Sequence, residues 1–373
     1  MKFAWAVLAL SFLLHAQDGA SFDELERQAS QALQSNPKQA VTLYRQGLAL
    51  KPEWAEGWFY LAAGLYELGQ YSDSKKAFQR AGELSPKKGA VWAFLGLCEY
   101  QLQEYPAAIR DIERGEFLGL PDNRQFVSTV HNRAALIYMR TKDFSAAVDQ
   151  LRPLAILGDD SSVTIQAFGV AALGLAFSPP DVPLDKRELV ELAGRAEWAI
   201  CANHSGDAAG ALQQLLGRFP REPGVHYLDG IYVMAHDPQA ARAEFQKELE
   251  ISPSHVAARL QIAILDLRAG EPDPAVRLSR EAVRLQPDNP LAHAVLGRAY
   301  MQRNEYESAI PQLQSAERLA PTNPQIHLYL QQSFHRLGKT AEAQKELAEF
   351  KRLRSGRDTS GLPDLEGPQG AKK

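Results

Sequence analysis

With 373 residues, 45% of them hydrophobic, and a formal charge of -4, the chain is long enough for two or three globular domains or for one tandem array. Basic and acidic residues nearly balance, so no overall field draws it to a phosphate backbone or an anionic membrane surface, and nucleic acid is not an expected partner.

In chain order, residues 1–16, MKFAWAVLALSFLLHA, place Lys2 before a 12-residue apolar run, Phe3 to Leu14, and a small residue, Ala16, after it. That is the pattern of a secretory signal, and the run is shorter than the ~20 residues a transmembrane helix needs. No cysteine follows the run to carry a lipid. The expectation is a soluble exported chain, periplasmic or secreted, that begins near Gln17.

From there one pattern returns every 34 residues. A copy opening at Ser21 has Ala40, Tyr44, Gly47 and Pro52 in its second half, with polar Glu24 and Gln28 in core positions of the first, as suits an N-terminal cap. The copy from Ala55 carries Trp58, Leu61, Ala62, Leu65, Tyr71, Phe78, Ala81 and Pro86; that from Gly89 carries Trp92, Leu95, Gly96, Tyr105, Ala108, Ile112 and Gly115. Ser128 opens another with His131, Ala134, Ala135, Tyr138, Phe144, Ala147 and Leu151. The register then breaks. Residues 159–188 read as an extra apolar helix from Ser162 to Phe177 and a proline-rich loop through Pro183, preceded by a kink at Pro153. Copies resume at Leu189, Glu222, Val256, Pro290 and Pro324. The copy from Pro290 is the fullest, with His293, Leu296, Gly297, Tyr300, Tyr306, Ala309, Leu313, Ala316 and Pro321. The expected organisation is a leader at 1–16, an N-terminal sub-solenoid at 17–158, the joint at 159–188, a C-terminal sub-solenoid at 189–355 and a disordered tail at 356–373, rich in Gly and Pro.

Within a copy, positions four, seven, eight and eleven form one apolar stripe at helical spacing, and positions twenty, twenty-four and twenty-seven form a second. Each unit is therefore two amphipathic helices. Gly69, Gly270, Gly338 and Asn304 at position fifteen suit a left-handed residue that ends the first helix, and the closing prolines end the second. One hairpin cannot bury both stripes, so copies must stack. The pattern resembles the tetratricopeptide repeat, Trp-x-x-Leu-Gly-x-x-Tyr, then Ala-x-x-x-Phe, then Pro. The resemblance implies an all-α right-handed superhelix, an α-solenoid of eight or nine such repeats, whose first helices line a concave groove.

A catalytic reading has little to stand on. The best constellation is the CANHSGD stretch, with Cys201, His204, Ser205 and Asp207, but it lies where one helix ends and the next begins, and Asn, Ser, Gly and Asp are what such a turn requires. Its Asn203-His204-Ser205 also fits the glycosylation acceptor. Cys98 and Cys201 lie about three repeats apart, too far to bridge, and read as small buried residues. His131, His293 and His327 share position four, where an aromatic is usual; equivalent positions on stacked helices are too far apart to share a metal, so these read as packing aromatics. No cofactor and no metal are expected, and the chain is not expected to be an enzyme.

The candidate site is the groove. In the family it is lined by positions two, five, nine, twelve and thirteen of the first helices. Those positions hold Phe59, Tyr66, Leu97, Tyr100, Asn132 and Met139 in the N-terminal copies, and include Arg268, Arg298 and Arg336 in the C-terminal ones. The resemblance implies a protein or peptide partner, extended or helical, with Phe59, Tyr66 and Tyr100 as apolar anchors and the arginines meeting acidic groups. The Lys and Asn pair with which one subset of the family grips C-terminal carboxylates is missing; Asn132 stands alone. The leading expectation is a non-catalytic interaction scaffold. The alternatives are an enzyme or enzyme subunit with a site near Cys201 and His204, and a structural protein that self-associates end to end.

Overall fold

A computed structural model of the chain describes residues 21–355 apart from residue 177, so the expected leader and tail lie outside the described residues. Among the described residues there are 19 α-helices, two 3-10 turns and no strand. None of the helices is long and apolar enough to cross a membrane. The chain divides into two compact units, one up to residue 133 and one from residue 134.

The first unit contains α1 (Phe22–Ser35), α2 (Pro37–Leu50), α3 (Ala55–Glu67), α4 (Tyr71–Leu84), α5 (Gly89–Gln101), α6 (Tyr105–Leu118) and most of α7 (Arg124–Arg140). Helices pair as α1 with α2, α3 with α4 and α5 with α6, and each pair packs on the next. The two apolar stripes read from the sequence meet in one core, in which Tyr44, Phe78, Leu65 and Leu95 are at most 2% exposed. Helix α7 begins four residues before its expected copy, because the Asn123 side chain accepts the Phe126 amide at 2.9 Å and caps it.

The second unit holds the end of α7, then α8 (Phe144–Ile156), α9 (Ser162–Ala172), α10 (Arg187–Cys201), α11 (Ser205–Arg218), α12 (Val225–Val233), α13 (Pro238–Ile251), α14 (Val256–Ala269), α15 (Pro272–Leu285), α16 (Pro290–Gln302), α17 (Tyr306–Leu319), α18 (Pro324–Arg336) and α19 (Thr340–Ser355). Helix α9 is shorter than its apolar run: Gly174 is left-handed at φ 61° and Leu175 N–H closes back on the Val170 carbonyl at 3.0 Å, so the helix stops before Phe177. The segment after it contains the two 3-10 turns, Pro179–Asp181 and Leu184–Lys186, rather than a bare loop. Helix α9 packs between α8 and α10, and α8 touches α10 as alternate helices do elsewhere in the unit, so it is a member of the stack rather than an appendage. Gly169 and Gly194 make this possible: a Cβ on either would be driven into a main-chain carbonyl of the other helix, Val190 for Gly169 and Ile165 for Gly194.

Position fifteen is left-handed in seven copies, at Gly69, Gln103, Lys142, Asn203, Gly270, Asn304 and Gly338. The copies read from Ser21 and Glu222 are the exceptions: position fifteen of the first is Ser35, the last residue of α1. The copy from Glu222 is the irregular one. Its first helix, α12, has 9 residues against 13 or 14 in the three that follow, and its close-packed small residue is Gly230, whose added Cβ would lie 2.5 Å from the Phe245 ring. The first helix of this copy is therefore read one residue too early, with Asp229 wrongly set in the small position, while the second helix, with Ala241 and Phe245 fully buried, is in register.

Candidate functional site

The residues at position four do more than pack. Trp58 Nε1 donates to the Pro52 carbonyl at 2.8 Å, Trp92 Nε1 to Pro86 at 3.0 Å and Arg259 Nη2 to Pro253 at 2.8 Å. His226, His293 and His327 do the same through Nε2, to Pro220 at 3.0 Å, Pro287 at 2.9 Å and Pro321 at 3.3 Å. Each donor stands six residues after its proline and satisfies a carbonyl left over where the preceding helix ends. Reading His293 and His327 as packing aromatics is thus incomplete, since their N–H groups are what the position uses. His131 has Gln125 where the proline would be, and pairs instead with Glu116, Nδ1 to Oε1 at 3.2 Å. The missed signal is in the sequence: a Trp, His or Arg six residues beyond each closing proline.

With position four turned toward the loop, positions nine, twelve and thirteen of α16 and α18 face one depression of about 890 Å³. Arg298, Met301 and Gln302 line it from α16, and Gln332, His335 and Arg336 from α18, joined by Tyr306, Tyr329 and Gln331. No carboxylate lines it. Gln302 is held by its Nε2 donating to the Leu267 carbonyl of α14 at 3.0 Å. Arg268 on α14 and Arg336 are exposed and have no ion-pair partner among the described residues, whereas Arg242, Arg259 and Arg303 of the same unit pair with Asp266, Glu281 and Asp273. The depression is an arginine- and amide-rich surface whose lining residues include no carboxylate.

The aromatic residues of the first unit are differently engaged. Phe59 packs against Tyr60, Phe78 and Phe94 at ring separations of 5.4, 5.6 and 5.7 Å, and Phe94 stacks on Phe78 at 5.3 Å and meets Phe126 at 4.3 Å. Tyr66 touches Tyr71 and Phe94 and accepts from Gln101 Nε2 at 3.5 Å. Tyr100 is covered by the Arg133 guanidinium at 5.1 Å and by Tyr105. Asn132 donates to the Ser128 carbonyl one turn earlier at 3.0 Å. Leu97 and Met139 are only 3% and 6% exposed, so these two are core residues and cannot line a groove. Phe94 and Phe126, which tie α5 to α7, were not among the residues singled out in the sequence.

The stretch around Cys201 does not assemble a nucleophile. Cys201 Sγ donates to Glu197 Oε1 at 3.6 Å, and burial drives its thiol far above the ordinary value. His204 packs edge-on against Trp198, with Nδ1 3.8 Å from Asp207, and no hydrogen bond joins it to Cys201 among the described residues. Burial likewise pushes the Cys98 thiol up to about 12, and Ser74 lies 3.2 Å from it. Nucleophilic chemistry needs a thiolate, and both environments favour the thiol. One group with metal-ligating spacing occurs among the described residues: Glu317, His327 and Glu346.

Residues 55–88 and 260–324 each match a family model described as tetratricopeptide repeat, so the chain carries tetratricopeptide repeats. No curated protein matches it. Solved structures that resemble it include MamA 41-end from Desulfovibrio magneticus RS-1, 21% identical, covering 45% of this chain and 96% of that one with a TM-score of 0.41, and a MamA RS-1 double mutant with the same values. A further MamA structure is 15% identical, covering 48% of this chain and 100% of that one with a TM-score of 0.40.

Proposed function

We propose that the chain is a non-catalytic scaffold of an exported compartment, and that the groove along α14, α16 and α18 holds an acidic segment of a partner protein. Tetratricopeptide repeats support protein interaction in general; the narrower reading rests on the depression at α16 and α18. Arg298 and Arg336 supply positive charge there, His335 and the glutamines supply hydrogen-bonding groups for a peptide main chain, and Met301 and Tyr329 supply apolar contact. An extended or helical peptide bearing Asp or Glu meets all three needs. Leu97 and Met139 are buried and the half-buried Phe59 ring is packed against Tyr60, Phe78 and Phe94, so none of the three contributes to this site.

Fluorescence anisotropy with a labelled Glu-rich peptide tests it. Saturable binding that weakens with added salt is expected, and Arg298→Ala together with Arg336→Ala should reduce affinity by about tenfold or more, each arginine being worth upwards of ~1 kcal/mol. Equal affinity in the double variant would remove the site. The compartment rests on the Met1–Ala16 pattern, and N-terminal sequencing of the exported chain should begin near Gln17. An intact Met1 would contradict it.

A further inference from the structure

Glu317 of α17, His327 of α18 and Glu346 of α19 converge at the last three described helices, with their ligand atoms all within 4.8 Å of one another. His327 is 3% exposed and Glu346 5%, while the Glu317 side chain reaches the surface at 31%. We propose that these three side chains bind one divalent ion of the zinc class, which ties α17, α18 and α19 together.

The first argument is one of charge. His327 Nε2 donates to the Pro321 carbonyl at 3.3 Å, and its Nδ1 lies 2.7 Å from Glu346 Oε2 and 3.9 Å from Glu317 Oε1. Two carboxylates therefore converge on one ring nitrogen in a largely buried place, where a bound cation would balance them. The equivalent histidines meet at most one carboxylate at that nitrogen. His293 Nδ1 lies 2.8 Å from the side-chain amide of Gln312, which can turn its NH₂ toward the ring. His226 Nδ1 meets Glu244, but Glu244 is already paired with Lys247 at 2.6 Å. Among the described residues neither Glu317 nor Glu346 has a Lys or Arg partner, and the nearby Glu349 is held by Arg352.

The second argument is geometric. A tetrahedral ion with bonds of about 2.0–2.2 Å separates its ligands by roughly 3.3 Å, and the observed 2.7 and 3.9 Å bracket that value. A main-chain carbonyl on the distal ring nitrogen is also the usual way a metal-binding imidazole is fixed in tautomer and direction. One nitrogen and two carboxylate oxygens suit zinc better than magnesium or calcium, and Glu317 leaves an entry path from solvent.

Isothermal titration of zinc chloride into the full chain, free of any polyhistidine tag, is the test. One saturable site per chain is expected, insensitive to excess magnesium, with hydrogen exchange slowed in α17–α19 and unchanged in α1–α6. Glu317→Gln leaves the His327–Glu346 contact in place, so it should melt like the parent without zinc yet bind zinc at least about tenfold more weakly; Glu346→Gln should lose the site altogether. Absence of a stoichiometric site in the parent, or zinc affinity unchanged in Glu317→Gln, would overturn the proposal.

Discussion

The first helices of the two units turn the same side of the repeat to opposite ends, with position twelve common to both. In α3 and α5, Phe59 and Tyr66 at positions five and twelve and Phe94 at position six are half-buried and interlock with one another and with Phe78 and Phe126. In α16 and α18, positions nine, twelve and thirteen hold Arg298, Met301, Gln302, Gln332, His335 and Arg336, which stay at the rim of an open depression. The helical frame allows both outcomes. Side-chain chemistry decides between them, because aromatic surface gains by leaving water and a guanidinium does not.

Disturbing the packing that each unit depends on gives the largest expected effects. Gly169→Ala forces a methyl into the Val190 carbonyl, so the second unit should lose about 3 kcal/mol or more, or fail to melt cooperatively in calorimetry. Gly210→Ala in α11, where nothing lies within 4 Å, should instead add about 0.5–1 kcal/mol. In the first unit Phe94→Ala should cost about 2–4 kcal/mol in urea unfolding, since the ring is a partner of Phe59, Phe78 and Phe126 at once. Arg336→Ala, by contrast, should stay within about 0.5 kcal/mol.

Each unit also buries an acid. Burial pushes Glu197 up to about 7, opposed by nearby Arg152; burial and then Asp111 push Glu99 up to about 7. The folded state thus holds these protons more tightly than the unfolded chain does. The resulting stability is fully present below the unfolded value of 4.5 and is lost as pH rises through about 7. Between pH ~8 and ~5 the parent should gain roughly 2–3 kcal/mol more than Glu197→Gln, measured by urea titration at each pH. The smallest effect concerns the turns: Gln103→Gly, relieving a left-handed φ of 62°, should raise stability by about 0.5–1 kcal/mol.

Periodicity made the helices legible in the sequence, since the openings at 55, 89, 256, 290 and 324 coincide with the first residues of α3, α5, α14, α16 and α18. Left-handed Gln103 and Lys142 were not legible as such, because only their shared position, not their residue type, marks them. The one-residue shortening at α12 escaped notice because Tyr227, Leu228 and Ile231 supply apolar residues in either register. For the groove, the spacing assigned Arg298 and Arg336 to helix faces that meet in one depression, but it could not distinguish aromatics free to bind from those such as Phe59 whose partners come from other helices.

Hydrogen-exchange footprinting of the full chain with and without the Glu-rich peptide compares the two regions in one experiment. Slowed exchange in α14, α16 and α18, with α3 and α5 unchanged, is the expected result. Protection confined to α3 and α5, or spread nowhere, would contradict it.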